Sequence, residues 1–198
     1  MKSKDEAMSV KRIDGGAGWL LLDPRLEAGA DCPGRCVSSP LHCLDRAVQG
    51  DFSVIAVLFW GDSLENRAEN LELVSILKRN ALTRARRVVA VCTRRNRALL
   101  EALLRTGADL VCVGHDDGMN PVRIGAMLSE LGPVNRIETQ LSLVCPHVVY
   151  SAVDSSREIG LCGAYRNRLV LTPSRLRQSC ESQSHALCEY FRNPRPRA

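Results

Sequence analysis

The sequence predicts an open α/β fold, a parallel sheet with helices on both faces, followed by a small cysteine-rich segment. Three observations carry this. Nearly unbroken apolar runs occur at Phe52 to Trp60, Arg87 to Thr93 and Asp109 to Gly114, as expected of strands buried on both faces. Amphipathic stretches of helical period separate them. Beyond about residue 140 that alternation stops and four dispersed cysteines appear.

Each element has its own signal. The mixed-charge residues 1–18, rich in glycine near their end, read as a flexible lead-in. Trp19 to Leu22, stopped by Asp23-Pro24, fits a short buried strand. Ala28 to Pro40 is punctuated by Gly34, Pro33 and Pro40 and reads as a loop, with a short helix beginning near Leu41. After Phe52 to Trp60, the Gly61-Asp62-Ser63 break leads into a helix over Leu64 to Leu82, where Leu73, Ile76, Leu77 and Ala81 share a face. Arg87 to Thr93 is the next strand. Ala98, Leu99, Ala102 and Leu103 form an amphipathic helix closed by Gly107. Asp109 to Gly114 supplies another strand, and Val122 to Leu131 a last helix. Short loops between alternating strands and helices require right-handed crossovers in a three-layer sandwich, taken as one domain over residues 19–135. Residues 140–198 form a separate cysteine-rich module.

Composition narrows the function classes. With 198 residues, 27 Lys+Arg against 22 Asp+Glu and 45% hydrophobic residues, the chain is expected to fold as one or two compact domains. Its apolar runs are far shorter than the ~20 residues of a membrane-crossing helix. Met1 to Arg12 lacks the apolar stretch of a signal peptide, so a cytoplasmic location with no membrane partner is expected. Aromatic residues make up 4%, too few for the stacking platforms of single-strand nucleic-acid binding. The net charge of +5 is spread out, which leaves nucleic acid a weakly supported partner; a protein partner is the expectation. Gly-rich phosphate loops, Gly-x-Ser-x-Gly elbows and His-Glu-x-x-His pairs do not occur, and no catalytic residue is assigned.

The stretches Val88-Val-Ala-Val-Cys-Thr93, Ala98-Leu-Leu-Glu-Ala-Leu-Leu-Arg-Thr-Gly-Ala-Asp109 and Leu110-Val-Cys-Val-Gly-His115 resemble the second half of a bacterial response-regulator receiver domain, with Gly107-Ala108-Asp109 as the most specific part. The resemblance covers about residues 40–131 and implies a receiver-like, flavodoxin-like fold. It also implies a lost activity. Receivers take a phosphoryl group on an aspartate at the end of the central strand beside a carboxylate-held magnesium ion. Here those positions are Val57 and Leu58, the family's lysine falls at Gly114, and only Thr93 and Asp23 remain. A degenerate receiver serving as scaffold or docking surface is the expectation, more in keeping with a non-enzyme than an enzyme.

Cys145, Cys162, Cys180 and Cys188 follow the α/β unit at spacings of sixteen, seventeen and seven intervening residues. A tail of this size is too small to build a sizeable core and calls for a staple. Thiolates in a reducing compartment more often bind metal than form disulfides. The pattern Cys145-Pro146, Cys162, then Cys180 to Cys188 with His185 nearby resembles a small four-cysteine module at the ends of bacterial proteins, which implies a metal ion or iron-sulfur cluster. Eight residues of straight helix would separate Cys180 from Cys188 by about 12 Å, so a bend near Ser182 to Ser184 is required. Dispersed single cysteines suit a [4Fe-4S] cluster better than zinc, whose structural sites use paired Cys-x2-4-Cys knuckles. Zinc is the alternative.

The plainer reading of any cysteine is a small buried hydrophobe, adopted for Cys92 and Cys112 inside apolar strands. Cys32, Cys36 and Cys43, with His42 alongside, are either ligands of a second centre, auxiliary ligands of the first, or loop thiols without a ligand role. His147 and His185 are further candidates as ligands or as hydrogen-bond partners of the ligand shell. His115, Asp116, Asp117 and Asn120 fit either a polar pocket at the sheet edge or a capping turn. The arginines 175, 177, 192, 195 and 197 fit an acidic partner or a solvated face.

Together these point to a non-catalytic regulatory or redox-sensing protein in signal transduction, with a cysteine-ligated centre on a pseudo-receiver scaffold. The other function classes are an electron-transfer component of an enzyme system and a DNA-associated transcriptional regulator.

Overall fold

Five strands, β1 (Gly18–Leu22), β2 (Cys36–Val37), β3 (Phe52–Phe59), β4 (Arg87–Cys92) and β5 (Leu110–Val113), form one parallel sheet in the order β2-β1-β3-β4-β5. This is the flavodoxin-like order, with its switch point between β1 and β3. The computed structural model describes residues 18–26, 35–61, 63–114, 119–166 and 168–195. Most of the expected lead-in, part of the expected Ala28 to Pro40 loop, Cys32, and His115 to Asp117 lie outside them.

Four helices connect and cover the sheet: α1 (Pro40–Gln49), α2 (Leu64–Arg79), α3 (Arg97–Thr106) and α4 (Pro121–Ser129). Each starts where a short polar side chain can accept from an otherwise orphaned amide. Ser39 accepts from the His42 N–H, Ser63 from Asn66, Asn96 from Leu99 and Asn120 from Arg123. Asn120 is therefore a helix cap. Period-2 alternation splits each strand between two cores. Leu20, Ile55, Val57, Val88 and Ala90 meet α1, α2 and α3 on one face. Leu21, Val54, Ala56, Val89 and Val91 meet Ile124 and Leu128 of α4 on the other. Both faces are thus covered, unequally.

Gly107, Ala108 and Asp109 have structural work to do. Gly107 ends α3 in the left-handed region, at φ 85°, where its N–H reaches the Leu103 and Leu104 carbonyls. Ala108 is buried. Asp109 accepts from the Val88 N–H at 2.7 Å and from Lys78 Nζ of α2 at 2.9 and 3.0 Å, which ties the start of β4 to two helices.

After a 3-10 turn at Pro133–Asn135 and α5 (Ile137–Ser142), the chain forms an antiparallel meander of β6 (Val148–Ala152), β7 (Glu158–Cys162) and β8 (Leu169–Leu171). Then come α6 (Pro173–Arg175), a π turn over Leu176–Cys180, a 3-10 segment over Gln183–Leu187 and α7 (Glu189–Arg192). These strands carry no clear periodic signal, because they are short and largely exposed. The segment is not packed as a separate body: Ile137, Val144, Cys145, Val148, Cys162, Leu171 and Leu176 belong to the same buried cluster as Leu99 and Leu103 of α3. Among the described residues no helix is long and apolar enough to cross a membrane.

Replacing Gly107 by alanine tests the α3 stop. The added Cβ would meet nothing closer than 3.7 Å, so the cost is conformational, and urea denaturation should show a loss of about 1–2 kcal/mol.

Candidate functional site

Cys145, Cys162, Cys180 and Cys188 all line one small cavity of about 20 Å³. They come from four different elements: the turn before β6, the end of β7, the end of the π turn, and the junction between the 3-10 segment and α7. Backbone bonds hold the frame. The Cys145 N–H donates to the Cys180 carbonyl at 2.7 Å, and Cys162 pairs with Val148 across the β6/β7 ladder. The bend between Cys180 and Cys188 falls at Ser182, which is extended at φ −143° and ψ 166° between two helical turns. All four are free thiols, three buried and Cys188 partly exposed.

The rest of the lining is mostly apolar, with Ala164, Leu169, Leu171, Tyr190 and Phe191, plus Arg175 and His185. Burial pushes the Cys180 thiol up to about 12, with the nearby sulfurs of Cys145, Cys162 and Cys188 adding to the shift. Burial likewise raises Cys145, against a backbone hydrogen bond from His147. Mutual repulsion of ionised sulfurs is what a cation at their centre would relieve. His185 Nδ1 lies 2.7 Å from the Ser182 carbonyl. A carbonyl only accepts, so Nδ1 is the donor in this contact. His147 packs its ring 6.0 Å from that of Phe191 and is not part of the lining. Among the described residues no three His, Cys, Asp or Glu side chains are gathered closely enough to clasp a single metal ion.

Cys43 and Cys36 stand apart from this cavity. Cys43 is buried in the core-facing side of α1, its thiol pushed up to about 12 by burial. Cys36 in β2 is disulfide-bonded, and Cys32 lies outside the described residues. Cys92 and Cys112 are core residues of β4 and β5, both raised to about 12 by burial.

A second polar site, missed in the sequence, lies at the C-terminal edge of the sheet. Glu158 at the start of β7 accepts from Arg67 Nη1 and Nη2, both at 2.9 Å, and from Arg94 Nη2 at 2.6 Å. The Asn96 side-chain amide completes the set at 2.5 Å. The Glu158 side chain is only 5% exposed. Arg94 also reaches Glu181 at 3.5 Å, and Tyr150 donates to the same Glu181 oxygen at 2.7 Å. The second Glu181 oxygen is buried without a hydrogen bond, and desolvation raises its pKa despite Arg94. An adjoining cavity of about 140 Å³ is lined by Arg25, Trp60, Asn66, Arg67, Thr93, Arg94 and Asn96, among others. Asp23 is buried in a fork with Arg25, at 2.7 and 2.9 Å, and that guanidinium lies 3.9 Å over the Trp60 ring. The available signal was positional: Thr93-Arg94-Arg95-Asn96 directly follows a strand, where open α/β sheets place their ligands.

No protein-family model matches the chain, and no curated protein matches it.

Thiol chemistry separates the partly exposed Cys188 from the core cysteines. In the native metal-free protein at pH 8, Cys188 should alkylate first. Cys43, Cys92 and Cys112 should react only after denaturation, since a thiol at about 12 is ionised in only about one molecule in ten thousand. Peptide mapping by mass spectrometry reads the order.

Proposed function

We propose that this is a non-catalytic regulatory or redox-sensing protein, in which a cysteine-ligated centre, a [4Fe-4S] cluster in preference to zinc, holds a C-terminal module against a degenerate receiver-like domain. One observation carries the reading: Cys145, Cys162, Cys180 and Cys188, dispersed over more than forty residues, line the same cavity.

The preference for a cluster rests on the spacing of the cysteines. Tetrahedral zinc with bonds of about 2.3 Å draws its four sulfurs to about 3.8 Å from one another. Cysteines dispersed singly, without a paired Cys-x2-4-Cys knuckle, suit a larger polynuclear group held by four thiolates. At about 20 Å³ the cavity is water-sized, so a cluster requires its wall to open. The centre would supply the staple that a short meander lacks, and its loss would loosen what the module covers.

The degenerate-receiver reading is supported by strand order and by what is missing. The sheet follows β2-β1-β3-β4-β5. Val57 and Leu58, at the phosphoacceptor positions, are fully buried in β3. Arg67 and Arg94 occupy the crevice with Glu158 between them. A sheet edge so furnished suits a docking or regulatory surface, since its carboxylates Asp23 and Glu158 are each engaged by arginines and neither stands at the end of β3, where the family's phosphoacceptor lies.

Purification without oxygen should give a brown protein with about four iron and four sulfide per chain. Cys162→Ser or Cys180→Ser should abolish the colour, and chelation should make residues 145–195 more susceptible to protease. Colourless protein with stoichiometric zinc would reduce the centre to a structural staple. Metal-free protein with unchanged proteolysis would end the reading.

A further inference from the structure

The donors around Glu158 all belong to the parallel-sheet part of the chain. Arg67 projects from α2, Arg94 follows β4, and Asn96 caps α3. Their carboxylate comes from β7 of the antiparallel meander. Two parallel bonds from one guanidinium, a third from another and a fourth from an amide, all converging on one carboxylate, make the donor set of an oxoanion receptor. Its address is the crevice outside the carboxyl ends of β3 and β4, beside the switch point, where sheets of this order bind ligands. The crevice extends beyond the carboxylate into the cavity of about 140 Å³, walled by Trp60 and Leu99 and by Arg25, Thr93 and Asn66. A side-chain carboxylate fills the anion position and leaves the room beside it.

We propose that Arg67, Arg94 and Asn96 form a binding site for a small-molecule oxoanion, phosphate or carboxylate, and that Glu158 occupies this site as an internal stand-in for the ligand. An external anion then binds by displacing Glu158, so the assembled protein binds it weakly. Glu158 holds Arg67 and Arg94 at 2.6–2.9 Å, so both guanidiniums already converge on one acceptor position. Arg94 remains shared with Glu181, which keeps that guanidinium in place when Glu158 leaves. The site stands on the side chains alone and does not require the metal reading.

The test uses full-length protein and two probes, inorganic phosphate and acetate, at ionic strength matched with chloride. Glu158→Ala should bind at least one probe about tenfold or more tightly than the wild-type protein does, by titration calorimetry and by a melting temperature that rises with probe concentration. Adding Arg67→Ala to Glu158→Ala should remove the gain. A preference for phosphate or for acetate fixes the ligand class. If Glu158→Ala folds poorly, the shape-conserving Glu158→Gln takes its place, and recovery of folded Glu158→Ala on adding either anion counts in favour. Folded Glu158→Ala or Glu158→Gln that binds neither probe better than wild type, or binds equally after Arg67→Ala, overturns the proposal.

Discussion

Placing the Glu158 carboxylate between Arg67 and Arg94 is the constraint on which the arrangement of the two halves depends. Removing a carboxylate from water costs several kcal/mol unless its oxygens are met by donors, and here two guanidiniums and one amide meet them. Those donors are spread over α2, the β4 exit and the α3 cap, so the charge is satisfied in one docking position only. Apolar packing alone would be more permissive. Leu99 and Leu103 of α3 share a buried cluster with Ile137, Val148 and Leu171, and such contacts tolerate sliding at modest cost. A buried, multiply bonded charge does not.

The parallel sheet was legible because burial on both faces writes itself as continuous apolar sequence. Val54 to Phe59 and Val88 to Cys92 are all buried, and their limits were read to within about a residue. β2 was not legible: Cys36 and Val37 sit in a Gly/Pro-rich stretch, and two residues have no periodicity. Their strand character comes from the neighbour, through the Leu21 N–H to Arg35 carbonyl and Asp23 N–H to Val37 carbonyl bonds of 2.8 and 2.9 Å. The meander hid for a related reason. Val149, Ser151, Val153, Ile159 and Val170 are exposed or nearly so, and one buried face over three to five residues leaves too short an alternation to count.

The cysteines were readable by residue type and the arginine crevice was not. A thiol far from an apolar run is unusual enough to invite comparison with others at a distance, and Cys145, Cys162, Cys180 and Cys188 do meet at one cavity. Arginine and glutamate are common on any surface. Nothing in Asn66-Arg67-Ala68 or Arg157-Glu158-Ile159 distinguishes the residue that becomes buried from the one that stays in water. Arg157 forms an exposed pair with Asp154 while its neighbour Glu158 is enclosed. Only the sheet topology, which carries α2 and the β4 exit to one edge, makes that difference.

The sulfur cavity and the arginine crevice are connected by the period of a single strand. Glu158, Gly160 and Cys162 alternate along β7 and so share one face, with Gly160 and Cys162 buried and Ile159 exposed between the first two. At about 3.3 Å per residue the glutamate and the cysteine stand about 13 Å apart, one at each site. Gly160 sits between them because Leu176 lies against it: a Cβ there would come within 3.1 and 3.2 Å of the leucine methyls. Leu176 opens the π turn that delivers Cys180 and then Glu181, so the close approach at Gly160 seats a second sulfur beside the first and a second carboxylate beside Glu158. Electrostatic coupling follows the same pairing, since Cys162 acts on Cys180 and Glu158 on Glu181. Any group that sets the spacing of the sulfurs therefore also sets, through the rigid length of β7 and the π turn packed on it, how firmly the two carboxylates fill the arginine crevice.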